Sequence, residues 1–553
     1  MRGPLFSVSR GIMIVESFTK EEQERLSPFV TNLDQPVFGL RNLPEVVMGA
    51  LFSRYSRSTK SLRRMLLEEF MKNKESGFQE IVGTPSGNSA DQMVAVKKAE
   101  DFYERVLVGY GDDSVAELGG AHMAIEGISN IATKFIEDAR IGISPLEKST
   151  RYVFFHEKEN GKYTYYRELA IMKSAHAALY EKTCDHLFDT YTRLIEPLSA
   201  FLEKKYPKEE GTSERAYRAT LNAKTCDGLR GLLPASTKTN VGLYGNGRAF
   251  EYLLSKMYAS DLQEVRMTAK QMEEELKKLI PAFVKRANNA HGKALQTFLK
   301  NTREGLRKER MEYSERGIEE EVTLVDWDEQ LEEKLIAAAL YPHSEVSLKE
   351  IRERVKKMSA EEKARVLEMS WSHRTNRRHK PGRAFENAFY TFDVLGNYGI
   401  YRDLHRHRVL TQERQLLSTR HGFDVPTELK EAELEEPFVV ALGQAAEAYE
   451  KMRGELPDEA QYAVPLAYKL RWYITMNARE AVHFLELRTQ PQGHADYRRV
   501  ARKMFEAIQR VHPAVTQAMP FIDLKETRLE RLDAEKRTDK KREALERKYA
   551  NHR

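Results

Sequence analysis

The chain has 553 residues, a formal net charge of +5 at pH 7, 31% charged residues and 41% hydrophobic ones. That length allows more than one domain with a sizeable core, and the apolar share excludes wholesale disorder. The small basic excess forces no nucleic-acid-binding surface. Two cysteines, Cys184 and Cys226, with no CxxC pair, exclude a disulfide framework and a CxxC metal site; they fit a reducing cytoplasm.

The N-terminus, MRGPLFSVSRGIMIVESF, has a short, broken apolar run and makes a poor secretory signal. No apolar run approaches the ~20 residues that span a bilayer. NLPEVVMGALFSRYSRSTKSLRRMLLEEFMKN repeats apolar residues at three- and four-residue spacing, so helix is expected after the Asn42–Pro44 start. GTPSGNSADQ reads as a loop, and AVKKAEDFYERVLVGYG as a helix closed by glycine. From GDDSVAELGG a small-residue-rich helix is expected to run into Asp138-Ala139-Arg140, followed by a loop and Ser149-Thr150-Arg151-Tyr152.

NTREGLRKERMEYSERGIEEE is charge-dense and reads as a linker or exposed helix. EVTLVDW alternates like a strand, and EEKLIAAALYP follows as a helix. FENAFYTFDVLGNYGIYRDLH reads as a buried helix that ends at Arg406-His407-Arg408, ahead of Ser418-Thr419-Arg420. The tail, KETRLERLDAEKRTDKKREALERKYANHR, mixes both charge signs and reads as a solvated or frayed helix. Its acidic residues dilute any field for nucleic acid.

The same plan occurs twice. A helix, a basic or formerly basic triplet, a loop and Ser-Thr-Arg appear at 138–151 and again at 406–420. Pro234 precedes Asn246-Gly247-Arg248 by the same offset as Pro465 precedes Asn477-Ala478-Arg479. Arg266 and Pro281 then align with Arg498 and Pro513. This order predicts two large related domains rather than a short-period solenoid. The expected boundaries are 1–300 and 321–523, joined by a charged linker at 301–320 and followed by a tail at 524–553.

Arg406-His407-Arg408 carries the strongest chemical hint. Gathering three cationic side chains at the end of a buried element is costly unless an anion or carboxylate pairs with them. The guanidinium fork suits phosphate. A solvated basic helix end, favoured by the helix dipole, is the alternative.

These residues resemble those of the flavin-dependent thymidylate synthases, whose motifs are RHR, a spacer, Ser-x-Arg, then Pro, Asn-x-Arg, Phe-Leu-x-Leu-Arg and His-Ala. The second half carries 406–408, 418–420, Pro465, Asn477-Ala478-Arg479, FLELR at 484–488 and His494-Ala495. The first half carries Asp138-Ala139-Arg140, Glu147, STRY at 149–152, LLPAS at 232–236 and NGR at 246–248. The resemblance covers most of residues 105–520. It implies an α+β fold, helices around a twisted sheet, and sites shared between subunits of a homotetramer; a tandem chain would then need only a homodimer.

The resemblance also implies methylation of dUMP to dTMP with methylenetetrahydrofolate, FAD and NADPH. Arg406, His407, Arg408, Asn477, Arg479 and His483, with Asn246 and Arg248, would face FAD. Glu147, Ser149, Arg151, Ser418 and Arg420 would hold dUMP, and Arg488 would assist ionisation of the uracil ring. No metal is implied. Ser149, Ser418, Asn246 and Asn477 could instead serve as caps or turn residues.

Each half departs from the pattern. Nine residues, not seven, separate the second RHR from Ser418. Asp403 stands where the family has Gln, and its charge would repel a phosphate or uracil carbonyl. Gln461 stands where the family has Arg, and the upstream His-x-Ser/Thr has no clean counterpart near His379. The first half has lost two of three RHR cations and has Met257 where the second half has Arg488. Either the halves complement one another in hybrid sites, or the scaffold has diverged into a flavin- or nucleotide-binding protein of altered or no catalysis.

Overall fold

In a computed structural model the chain is described over residues 17–56, 58–72, 116–311 and 320–550. The loop and helix expected over 83–111 lie outside the described residues. No helix among them is long and apolar enough to cross a membrane. Three short helices open the described chain: α1 (Lys20–Leu26), α2 (Glu45–Tyr55) and α3 (Leu62–Met65).

The first half then builds β1 (Gly120–Ser129), α4 (Asn130–Glu137) and β2 (Ile143–Glu147). The long α5 (Ala177–Lys205) and α6 (Glu214–Leu229) follow, then β3 (Lys238–Asn246), α7 (Gly247–Tyr258) and α8 (Gln263–Leu279). The second half builds β4 (Val322–Trp327), α9 (Leu331–Leu340), β5 (Phe389–Asn397), α10 (Tyr398–Leu404) and β6 (Leu410–Arg414). It continues with α11 (Glu435–Met452), β7 (Lys469–Asn477), α12 (Ala478–Arg488) and α13 (Ala495–Val511). The strand EVTLVDW and the helix after it stand where the sequence puts them.

The two larger sheets are antiparallel with the same order. It is β1-β3-β2 in the first half and β5-β7-β6 in the second, where β4 adds an outer edge. Registers match as well: Ile143 opposes Gly245, and Leu410 opposes Met476 at the equivalent rung. The α+β fold with two related domains is therefore the observed architecture.

Two helix expectations are corrected. Phe389–Asn397 is a strand, and the helix before RHR is only Tyr398–Leu404; Gly120–Ser129 is likewise a strand that turns into α4. The sequence signal was misread. Tyr390, Phe392 and Val394 alternate into the core with period two, while Gly and Ala in β1 mimic a small-residue helix. Asn397 and Ser129 mark the switch, each accepting a backbone N–H as helix N-cap (2.9 Å from Ile400 N, 3.0 Å from Ala132 N).

The halves meet across an approximate two-fold relation. Pro234 pairs with Pro465, and the flanking bonds are reciprocal: Ala235 N–H to Val464 O (2.8 Å) with Leu466 N–H to Leu233 O (2.9 Å). Ser236 N–H to Tyr462 O (3.1 Å) mirrors Ala467 N–H to Gly231 O (3.0 Å). This is an isologous contact made within one chain. Helices α5 and α11 pack beside it, and one hydrophobic core runs continuously through both halves.

The tail forms the expected helix, α14 (Leu532–Ala550), exposed over 540–548; its first turns add a contact the sequence did not show, packing on α6 of the first half through Arg215 with Asp539 and Glu535.

Candidate active site

The RHR triplet leaves the end of α10 and crosses to the first half. Glu147, at the end of β2, is buried and receives Lys134 Nζ (2.8 Å), Arg402 Nη2 (2.7 Å) and Arg406 Nη2 (3.2 Å). Burial pushes its carboxyl up, yet Arg402 and Lys134 hold the net value below the usual range. Glu137 accepts from Lys134 and lies 3.2 Å from His405. Arg408 donates to Ile143 O (3.2 Å) and Ser144 Oγ (2.8 Å). Two arginines of the triplet thus grip the first half's β2.

His407 points inward instead. Arg488 Nε–H donates to His407 Nε2 (2.9 Å), and His407 Nδ1 lies 2.6 Å from Glu480 Oε1. Burial, with Arg488 and His483, keeps the imidazole neutral by pushing its pKa well below the ordinary value. A neutral ring that accepts at Nε2 must carry its proton on Nδ1, so Glu480 is the acceptor. Burial raises Glu480 to about 7. The chain Glu480–His407–Arg488 fixes the arginine's direction.

Arg488 and Arg151 then flank one ring. Their guanidinium carbons lie 5.6 and 5.7 Å from the centre of Tyr497, although one arginine belongs to each half. Arg151 forms a two-bond fork with Asp227 (2.8 and 2.7 Å). Arg230 binds Asp403 (3.0 Å), with its Nη2 buried and without a hydrogen-bond partner. Burial pushes Asp403 up, but Arg230, Arg151 and Arg406 together hold it far below the usual carboxylate range. The expected repulsion at Asp403 is thus met by an arginine from the other half. Around Tyr497 the guanidiniums of Arg151, Arg230, Arg406, Arg488 and Arg531 face the carboxylates of Asp227, Asp403 and Glu147, the last shared with Lys134 and Arg402, leaving an excess of positive charge.

A cavity of about 510 Å³ opens beside this cluster, lined by Asp227, Arg230, Gly231, Gly399 and His494 among others. Burial and the neighbouring Arg230 lower His494 to about 4, so its ring is uncharged near neutrality. The two-fold mate of Gly231 is Tyr462, a buried side chain whose hydroxyl donates to Glu264 (2.7 Å), so a bulky residue stands where the cavity side has glycine.

The remaining candidates fall in three places. Asn477 and Asn246 cap α12 and α7, accepting from Glu480 N and Ala249 N (2.8 Å each). Arg479 binds Pro381 O (2.8 Å) and Glu386 (3.1 Å) near His483, which burial and Lys380 lower to about 4. Arg248 pairs with Glu117 in a separate first-half pocket that Asn246 also lines. Ser149 Oγ accepts from Arg151 N (3.2 Å), which shapes the loop. Ser418 is half-buried and Arg420 exposed; among the described residues no hydrogen bond or ion pair joins either to the Tyr497 cluster. His407, Glu480 and His483 place ligand atoms within 4.8 Å of one another. Lys380, Arg377, Arg488 and Arg479 surround them, so the field favours an anion over a metal ion.

Sequence reasoning missed Arg230, Asp227, Glu480 and Tyr497. Arg230 was within reach: the Pro234–Pro465 alignment sets it against Gln461, so the arginine missing from one half stands in the other. Asp227 and Tyr497 carry no motif and are found only by contact.

The family model described as thymidylate synthase complementing protein matches residues 59–282 and 323–514, once in each half. A UPF0159 protein of Chlamydia muridarum is 47% identical over 94% of this chain and 98% of its own length. One of Thermoplasma acidophilum is 35% identical over 89% and 98%. A flavin-dependent thymidylate synthase of Geobacter sulfurreducens is 28% identical over 32% of this chain and 77% of its own. A crystal structure of a UMP/dUMP methylase from Streptomyces cacaoi aligns with 21% identity and a TM-score of 0.30, over 36% of this chain and 94% of that one.

Proposed function

Because the chain belongs to the thymidylate synthase complementing protein family, we propose that it is a flavin-dependent uridylate methylase with one working site per chain, built jointly by the two halves. The carrying observation is the interlock of Glu147, Arg151 and Arg230 with Asp403, Arg406, Arg488 and Tyr497 around an excess of buried guanidinium charge. A phosphomonoester dianion is the ligand that offsets such an excess. Under this reading the substrate is dUMP, the methylene donor methylenetetrahydrofolate and the reductant NADPH.

Arg151 and Arg230 take the 5′-phosphate, and Asp227 and Asp403 hold the two guanidiniums in position until it arrives. Arg488, aimed by His407, meets the uracil and stabilises negative charge as the ring ionises. Arg406, Arg408 and Arg479, with Lys380 and Arg377 close by and the uncharged His483 among them, form a cationic wall that fits the pyrophosphate and anionic ring of FAD. When bound, the reduced flavin supplies the hydride that completes the methyl group. Asn477 contributes by capping α12, which orients Arg479 and His483. Asn246 and Arg248 belong to the first half's own pocket, where a flavin is a weaker fit beside Glu117 and Glu251. Ser418 and Arg420 belong to the opposite interface, where Gln461 and Met257 replace the arginines.

A second reading has one specific support. Arg151 and Arg230 already hold carboxylates, which suits a homologue that binds a nucleotide without turning it over. One experiment separates the two. The purified chain is loaded with FAD and methylenetetrahydrofolate, the flavin is reduced, and dUMP is added. The proposal expects dUMP-dependent flavin oxidation and dTMP. Tight dUMP binding with no dTMP selects the second reading, and absence of both flavin and dUMP binding defeats both.

A further inference from the structure

The family match ends at residue 514, yet the chain returns to the site after that point. Arg531 is 5% exposed and lies against Arg151, Tyr152 and Asp227 of the first half, beside the place the nucleotide reading gives to a phosphate. Its Nη1–H donates to the Arg151 carbonyl (3.2 Å), and its guanidinium carbon lies 4.0 Å above the Tyr152 ring. Its Nη2 is buried, 3.8 Å from Asp227 Oδ2, and has no hydrogen-bond partner. An unpaired buried donor on a cation is costly, and a well-packed fold keeps few of them. Arg230 Nη2 is a second such donor in the same cluster.

The preceding residue secures the placement. Glu530 binds Lys224 (3.0 Å), which also holds Glu428 (2.8 Å), and Glu530 lines the cavity beside Asp227 and Arg230. Beyond it, α14 is fastened to the first half by Arg215–Glu535 (3.1 Å) and Lys536–Glu209 (2.7 Å). A segment that follows the second half in sequence is therefore anchored on the first half, across the site.

We propose that the C-terminal segment is part of the nucleotide site, with Arg531 completing, together with Arg151 and Arg230, a cradle for a phosphomonoester. The two orphaned Nη2 groups are its vacant donors. The tail then serves as a latch: phosphate binding and docking of α14 favour each other, because each orders Arg531. This inference rests on the nucleotide reading of the same site.

The test uses the full-length chain and two probes, dUMP and deoxyuridine, which lacks the phosphate. Arg531→Ala should weaken dUMP roughly ten- to hundred-fold, the loss of a charge-assisted contact, and change deoxyuridine less than about twofold. Arg531→Lys, which keeps the charge but not the fork, should fall between. Hydrogen exchange in α14 should slow when dUMP binds the wild type and remain unchanged when deoxyuridine binds. Equal loss for both probes would make Arg531 a structural brace only, and unchanged dUMP affinity would exclude it from the site; either overturns the proposal. If Arg531→Ala does not fold, Arg531→Lys carries the same comparison. If the wild type ignores dUMP, the nucleotide reading fails by itself, and inorganic phosphate still tests the cradle. Phosphate should raise the wild-type Tm and leave Arg531→Lys less affected; equal shifts overturn the inference.

Discussion

Asp227 and a substrate phosphate compete for Arg151, and that competition can be measured. Arg151 and Asp227 are joined by two short bonds, with side chains only 10% and 19% exposed. Arg151→Ala strands a buried carboxylate, which typically costs about 3–5 kcal/mol. Arg531 at 3.8 Å offers partial compensation, so the low end, about 3 kcal/mol, is expected. The same change removes phosphate bonds worth roughly 1.5–3 kcal/mol, a ten- to hundred-fold loss of dUMP affinity. Adding Asp227→Asn should separate the effects. The double variant should recover part of the stability, because the stranded carboxylate is gone although Arg531 loses its counter-ion, while dUMP affinity stays low. Asp227→Asn alone should be less stable than wild type, since crowded guanidiniums lose a counter-ion, yet bind dUMP more tightly because the competitor is gone. Urea denaturation and calorimetric titration read the two quantities. If the double variant binds dUMP like wild type, Arg151 does not hold the phosphate and the site has been misplaced.

Further outcomes follow from the same geometry. Arg406→Ala and Arg151→Ala should each abolish dUMP-dependent flavin oxidation, and the double variant should be no worse than either, as for residues acting as one unit; a working Arg406→Ala enzyme would refute the hybrid site. Arg420→Ala and Ser418→Ala should leave turnover within about twofold, because their interface has Gln461 and Met257 where the cavity side has Arg230 and Arg488. Glu480 titrates near 7, where loss of its proton adds negative charge beside the cationic wall. FAD affinity should therefore fall as pH rises through about 7, and Glu480→Gln should flatten that dependence while its amide oxygen still accepts from His407. Glu480's raised folded pKa also means that stability declines as pH climbs from the unfolded carboxyl range toward 7; the glutamine variant should lose that slope in denaturation curves. Flavin titration should saturate at one FAD per chain, and two would show that the first half's pocket is competent.

The sequence by itself determined the doubled motif order, the family and the position of each motif along the chain. Those follow from order and spacing, which survive when individual residues are lost: Pro234 and Pro465, Asn246 and Asn477, Arg266 and Arg498 keep step although Met257 and Arg488 no longer match. It also carried the strand at 322–327, because alternation is local, and offered the N-caps at Asn246 and Asn477 only as the alternative to a flavin contact. It misled over 389–397 and 120–129, where burial decided between strand and helix and local composition did not. Only the tertiary structure decided which halves of the two motif sets meet. Glu147 reaches Arg406, Arg151 and Arg488 share Tyr497, Arg230 neutralises Asp403, and Arg531 arrives from the tail. The Glu147–Arg406, Arg230–Asp403 and Arg151–Arg531 contacts span 259, 173 and 380 residues of chain. A charge carries no mark of its partner along the chain; in the fold, burial makes an unpaired charge expensive, so the contact between the halves and the tail sets which charges pair and where an excess is left for a bound anion.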